Sequence, residues 1–358
     1  MPGPNGADAL VRPARPAIAV DGQARSSLGE GLLRLEIVED TLGLYRCEAT
    51  FGNWGTVNNE IGYLYFDRSL LEFGKAFAVK LNGQSLFDGR ITGLEAHFPE
   101  GEPPELSVLA EDRFQDLRMV RRTRSFEDVS DADVVRQVAS EHGLTASVEA
   151  PGPRYSVLAQ VNQSDLAFLR DRARTVDAEL WMDGSTLKVA ARASRDGGTL
   201  RMSYGRELWE FSVLADLAHQ RSSLTVSGWD VAAKAGISQQ AGESVVQGEL
   251  NSMIGGASIL SRALGERKEA VAHTVPLTSE EAQAEAAALF RLSARRFVVG
   301  RGRAEANAGL RVGAYVDLQG LGPLFSGKYY VAQTRTIFDG GRGFRIEFAA
   351  ERPGLGLS

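Results

Sequence analysis

Between residues 17 and 113, apolar and polar side chains alternate in short runs separated by Gly- and Pro-rich turns. In "LLRLEIV" (32–38) a period of two sets Leu33, Leu35 and Ile37 on one face and Arg34 and Glu36 on the other, as a half-buried strand requires. "YRCEATF" (45–51), "AFAVKL" (76–81), "LFDGRITGLEAHF" (86–98) and "LSVLA" (106–110) continue the pattern, and "PEGEPPE" (99–105) reads as a hairpin tip. Several short strands at this spacing predict a closed barrel or sandwich rather than an open parallel sheet.

From residue 126 the period changes to that of helices. Ser130 with Asp133 three residues on forms a capping box, Val129 and Val134 a hydrophobic staple, and Gly143 a stop, which predicts a helix over 131–142. In "VNQSDLAFLRDRARTV" the same devices place Asn162 as the cap, Asp165 at the third position and Val161 facing Leu166, with Leu166, Leu169, Ala173 and Val176 as the buried stripe. "AELWMDGSTLKVA" (178–190) predicts a hairpin turning at Asp183-Gly184. Strand patterns return at 200–230. Residues 231–271, rich in Gly, Ser, Ala and Gln, read as a long loop or linker. A third helix follows, capped by Thr278 with Glu281 completing the box and with Arg291, Arg295 and Arg296 near its end, where cations complement the helix dipole.

Two stretches repeat one phrase. "GQSLFDGRITG" (83–93) and "LGPLFSGKYYV" (321–331) both carry Leu-Phe-polar-Gly-basic, at Leu86, Phe87 and Gly89 and at Leu324, Phe325 and Gly327. Internal duplication is the simplest account: two similar β-barrels separated by an α+β module. The expected fold class is therefore mainly β with an α+β insert. Its segments are a lead-in at 1–16, a first barrel at 17–125, an α+β module at 126–199, and a second barrel from 200–230 and 297–352. A loop and helix, 231–296, interrupt the second barrel. Within the motifs, the Leu and Phe residues are expected in barrel core and turn, and the glycines at bends or close backbone approaches.

At 358 residues the chain is long enough for two or three domains, each with its own core. No apolar run approaches the roughly 18 residues of a membrane span, and the amino terminus lacks the apolar core of a secretory signal. The single cysteine, Cys47, can form no internal disulfide and is expected as a buried strand residue. A net charge of -6 argues against a nucleic-acid surface; the one basic cluster, "RMVRRTR" (118–124), reads as a solvated face.

The search for chemistry returns no constellation. His97, His142, His219 and His273 are scattered without metal-ligand spacing. "LFSGKYY" lacks the residues of a phosphate loop and precedes a strand. The acidic pairs Glu280-Glu281 and Asp131-Asp133 stand at helix starts, where they stabilise free backbone N–H groups. No catalytic residue, cofactor or metal is expected.

"VNQSDLAFLRDRARTVDAELWMDGSTLKV", through Asn162, Ser164, Asp165, Leu166, Phe168, Leu169 and Trp181, resembles the phage late control protein D family, the baseplate hubs of contractile tails, and the hub portion of VgrG spike proteins. "SSLTVSGWD", ending at Gly228, Trp229 and Asp230, is similar to the family's next landmark, and residues from 288 to 341 resemble its carboxy-terminal portion. This resemblance implies a non-enzymatic homotrimer whose three chains present six barrels, joining a hexameric tail tube to a trimeric spike. The implied partners are a separate spike protein, a tail tube protein and other baseplate proteins, with no nucleic acid and no membrane segment. Such a protein is made in the bacterial cytoplasm and assembled into the baseplate of a contractile particle. The competing expectation is a tail-tip protein that binds or hydrolyses cell-wall glycan.

Overall fold

The computed structural model describes residues 15–150, 152–231, 233–271 and 274–356. The expectations for residues 1–14 and for His273 lie outside them. Antiparallel strands dominate, and most belong to one 13-stranded sheet.

The first seven strands of this sheet are β1 (Ala17–Val20), β2 (Leu32–Asp40), β3 (Arg46–Gly52), β4 (Ala76–Leu81), β5 (Gln84–His97), β6 (Glu105–Glu111) and a two-residue strand, Gln23–Ala24, that pairs with β1 at the sheet's edge. The six labelled strands pair in the order β2-β3-β6-β5-β4-β1. Alternation drives Leu35, Ile37, Phe51, Phe77, Val79 and Val108 into one core, where each is at most 1% exposed. Cys47 is buried in that core. A β-bulge between Leu32 and Arg34 breaks the strict period, so Leu32 points inward and Leu33, expected on the core face, is exposed.

The α+β module follows. It comprises β7 (Arg121–Ser130), α1 (Asp131–Glu141), β8 (Thr145–Glu149), β9 (Arg154–Ser164), α2 (Asp165–Thr175), β10 (Ala178–Asp183) and β11 (Thr186–Ala191). The Ser130–Asp133 capping box is present at the start of α1. β10 and β11 form the hairpin that Asp183-Gly184 foretells. Val134, Val138, Leu166, Leu169 and Leu187 close a separate core.

The remaining strands of the large sheet are β12 (Thr199–Ser203) and β13 (Leu208–Ala215), and, after an excursion, four more. The excursion contradicts the expected loop: Ser223–Asp230 (β14), Ala235–Gly242 (β15) and Lys268–Val271 (β16) form their own three-stranded sheet. Helix α3 (Ser279–Arg295), capped by Thr278, packs on it through Ala282, Ala286, Phe290 and Ala294. "SSLTVSGWD" therefore belongs to this excursion and not to the large sheet. The expectation failed because β15 ("AGISQQAG") buries only Ile237 and Ala241, against a helix face itself built largely from alanine, which leaves little hydrophobic periodicity to read.

The chain re-enters the large sheet as β17 (Val298–Glu305), β18 (Tyr315–Gln319), β19 (Gly327–Asp339) and β20 (Gly343–Arg352). These pair in the order β13-β17-β20-β19-β18-β12. Taken strand by strand in chain order, this is the order of the first six. Two bulges coincide as well. The one between Leu32 and Arg34 recurs between Leu208 and Glu210, and the one between Ile91 and Gly93 recurs between Val331 and Gln333. One strand differs in direction: β1 runs antiparallel to β4, whereas β12 runs parallel to β18. The two six-strand units join where β19 pairs antiparallel with β2, from Gln333 opposite Asp40 to Asp339 opposite Arg34.

Candidate interaction surfaces

The strongest clusters of ionisable groups lie inside the protein, and each is spent on joining elements. Asp165, 1% exposed, accepts hydrogen bonds from His142 Nε2 (2.8 Å), Gln160 Nε2 (2.9 Å) and Arg124 Nη2 (3.0 Å). Burial works against this carboxylate, but those hydrogen bonds and the charges of Arg124 and Arg122 hold its pKa below the usual range. The basic run 118–124 is thereby largely neutralised, with Arg118 on Glu111 and Arg122 and Arg124 on Glu141 and Asp165. The run is nonetheless the solvated face expected of it, with Arg118, Met119, Val120, Arg121 and Thr123 exposed and three of its four arginines ion-paired.

A second cluster ties the module to both units. Glu179 of β10 accepts from Arg195 Nη1 (2.9 Å), Arg192 Nε (3.2 Å) and the Tyr330 hydroxyl of β19. Arg195 also donates to the Tyr45 hydroxyl (2.7 Å), and Arg192 to Glu351 of β20 (2.7 Å). Burial opposes charge on both guanidiniums, and the surrounding carboxylates and tyrosines more than offset it, so their pKa values are raised. These groups are compensated ions, and removing one leaves the others buried and unpaired. A cleft of about 710 Å³ nearby is lined by Arg295, Asp177 and Glu249, yet Arg295 grips both carboxylates itself (Nη2 to Asp177 2.9 Å, Nε to Glu249 2.8 Å). Among the described residues, no group of three His, Cys, Asp or Glu could hold a metal ion. No described helix is long and apolar enough to cross a membrane.

The repeated phrase does not fall on equivalent positions: in the first unit it lies wholly in β5, whereas in the second only its glycine reaches the matching strand, β19, and there out of register. Leu86 and Phe87 are buried in β5, and a Cβ on Gly89 would meet the Glu111 carbonyl oxygen at 2.2 Å, so only glycine fits. In the second unit Leu324 and Phe325 lie instead in a short helix before β19; Leu324 is exposed and Phe325 half-buried. Pairing shows the slip. Phe87 lies opposite Val79 and Gly89 opposite Phe77, whereas Gly327 lies opposite Leu318 and Tyr329 opposite Val316. Tyr329, not Gly327, occupies the place of Gly89.

The family landmarks are structural. Ser164, not Asn162, caps α2, its hydroxyl accepting from Ala167 N at 3.2 Å, and Asp165 is the first helical residue. Asn162 takes a left-handed conformation (φ 48°) and donates its backbone N–H to Thr123. Leu166, Phe168 and Leu169 are buried in the module core, with Phe168 stacked on Phe126. Trp181 carries Arg195 over its ring. Gly228 lets the Pro276 carbonyl approach to where a Cβ would sit 2.1 Å away, Trp229 is exposed, and Asp230 accepts from Ala233 N.

Two stretches of the large sheet are paired along one edge only. Beyond Ile91, β5 is paired with β6 alone, and β13, apart from a bridge between Leu208 and Tyr204, is paired with β17 alone. Exposed aromatics crowd the end of β5: Phe98 meets Tyr63 and Phe66, and Tyr63 meets Trp54. On β13, Trp209 and Leu214 are exposed.

Sheet edges and aromatic side chains are thus open at the surface, while the ionic clusters join elements inside the protein. The fold is that of phage tail and VgrG-type spike proteins. The 43 kDa tail protein of prophage MuSo2 from Shewanella oneidensis superposes with a TM-score of 0.68 at 14% identity, over 95% of this chain and 98% of that one. A tail protein from Neisseria meningitidis MC58 gives 0.67 at 15% identity, over 96% and 98%. An E. coli component of the type VI secretion system, described as similar to the T4 tail proteins gp27 and gp5, gives 0.57 at 13% identity, over 91% and 76%. Among curated proteins none matches by sequence. The family described as the Alg8 N-terminal domain matches residues 76–338, and the chain belongs to that family.

Proposed function

We propose that this chain is a structural baseplate hub: a homotrimer that joins a hexameric tail tube to a trimeric spike, without enzymatic activity. The observation that carries the reading is the duplication of strand order and of two bulge positions within one chain. Three such chains offer six like units, which lets three-fold and six-fold partners share one axis. On this reading the two six-strand units are the two barrels of the hub. The module and the excursion around α3 stand outside the ring, and spike, tube and other baseplate proteins dock on it. The internal ion pairs serve to fix one unit against the other.

Light scattering of the purified chain tests the stoichiometry. The account expects the mass of three copies of the 38.6 kDa chain. A mass of one or two copies, unchanged when candidate spike and tube proteins are added, would contradict it.

A further inference from the structure

We propose that the cleft where the module, the excursion and the second unit meet is a binding site for an acidic segment of a partner protein. No residue of β5 or β13 lines it, and its occupancy does not depend on the trimeric reading.

The cleft has a volume of about 710 Å³, which is ample for a ligand, and junctions between structural parts are where such sites concentrate. Each part contributes a wall: Val176 and Ala193 come from the module, Ala284 and Ala287 from α3, and Tyr315 and Pro353 from the second unit. Small side chains keep the middle open. Five cationic side chains line the cleft against three carboxylates, a local excess of positive charge in a chain whose net charge is -6.

Every lining carboxylate already has its arginine. Arg295 holds Asp177 (2.9 Å) and Glu249 (2.8 Å), and Arg192 holds Glu351 (2.7 Å). Two cations are left over: among the described residues neither Lys328 nor Arg352 has a carboxylate partner. Lys328 is exposed, with its Nζ 4.0 Å from the centroid of the Tyr315 ring. Asp317 lies directly across the ladder from it but accepts from Gln319 Nε2 instead (2.8 Å). Arg352, 3% exposed, donates only to the carbonyls of Ser326 and Leu324, and its Nε has no partner. Its Nη1 stands 3.4 Å from where a Cβ on Gly327 would sit, one residue before Lys328. Burial pushes the Arg352 pKa down, with no carboxylate to offset it. A third cation, Arg291, is held by the Val245 carbonyl (2.9 Å) and reaches Asp177 only at 3.7 Å.

Buried and half-covered charges in folded proteins find counter-ions, and the unspent ones here call for an anion from outside. A carboxylate accepting from an ammonium or guanidinium forms the stronger, charge-assisted kind of hydrogen bond. The free donors stand on different walls, Lys328 on β19 and Arg291 on α3, with an alanine-rich surface also lining the cleft. That spread suits a chain with several carboxylates and small side chains better than one bare anion.

Fluorescence anisotropy of the full chain with a labelled hexapeptide of alternating glutamate and alanine tests the site. Saturable binding of one peptide per chain is expected, and none of the corresponding peptide of lysine and alanine. Lys328→Glu, at an exposed residue without an ion pair, is expected to weaken binding by about tenfold or more. Ala287→Trp, which fills the cleft without altering its charge, is expected to do the same. Circular dichroism melts matching wild type establish that each loss is local, and Lys328→Glu decides alone if the tryptophan variant does not fold. Absence of binding, or binding that survives both substitutions, overturns the site. Free glutamate competing at the same concentration as the peptide overturns the partner segment in favour of a small-anion site. Light scattering of the same samples reports the trimer separately, so failure of either reading leaves the other standing.

Discussion

The two six-strand units share a plan and differ in what completes them. In the second unit, the far half of β19 is walled on both edges, by β20 and by β2, and Phe338 is buried. In the first, the matching half of β5 has one wall and Phe98 faces solvent. The ends of the matching strands β6 and β20 differ in the opposite chemical sense. Asp112, buried just past β6, accepts the backbone N–H groups of Tyr45 (2.9 Å) and Phe114 (3.0 Å). Arg352, buried at the corresponding place in β20, donates to the carbonyls of Ser326 (3.0 Å) and Leu324. One site uses a buried acceptor and the other a buried donor because different orphan backbone groups needed satisfying there. Duplication therefore preserves strand order and bulges, while local side chains are rewritten to fit each unit's own connections.

Substitutions at matched positions sharpen this comparison. The largest effect is expected at the ionic joint that holds the units together. Arg195→Ala leaves Glu179 with a buried carboxylate short of one partner, and denaturant unfolding is expected to show a loss of about 3–5 kcal/mol; a loss under about 1 kcal/mol would show that the joint is dispensable. Next come Leu35 and its counterpart Phe211. Leu35→Ala, in a closed core, is expected to cost about 2–5 kcal/mol. Phe211→Ala should cost the isolated chain less, because the ring is half-buried, and should weaken assembly more; equal unfolding costs would erase the distinction between walled and open edges.

A pH difference comes next. Burial raises the Asp112 pKa to about 7, above its ordinary value near 3.8, so the folded state holds this proton more tightly than the unfolded chain. The stability it contributes is present below about pH 4 and is lost as pH rises through about 7. Comparing unfolding at pH 5 and pH 8, wild type is expected to lose more stability than Asp112→Asn; identical pH slopes would contradict this. The smallest effect is expected from Arg335→Ala, whose exposed ion pairs with Glu36 and Glu347 should be worth about 0.2–1 kcal/mol.

The strands of the first unit were legible because alternation survives over most of their length, breaking at the Leu33 bulge, at Leu86-Phe87 and through Ala49, Thr50 and Phe51, where consecutive residues are buried. Ser130 and Thr278 were legible as caps because each is followed at the right spacing by an acid. Asn162 misled for a physical reason: two polar residues, Asn162 and Ser164, precede α2, and only the backbone, left-handed at the former and extended at the latter, chooses between them. The repeated Leu-Phe-x-Gly phrase led to the right pair of strands through a two-residue misalignment, because bulges and strand order, not identities, are what the two units share. The open edges carry no sequence signature at all. "LWEFSVLAD" reads as an ordinary strand, and only pairing on one side and not the other marks it as an interface.

The central claim is that three copies make six equivalent positions. End-on electron microscopy of the purified assembly addresses it directly: averaged images are expected to show three-fold symmetry with six like lobes around a central channel, the modules lying outside. A ring of three lobes, a two-fold particle, or six lobes built from six chains would contradict it.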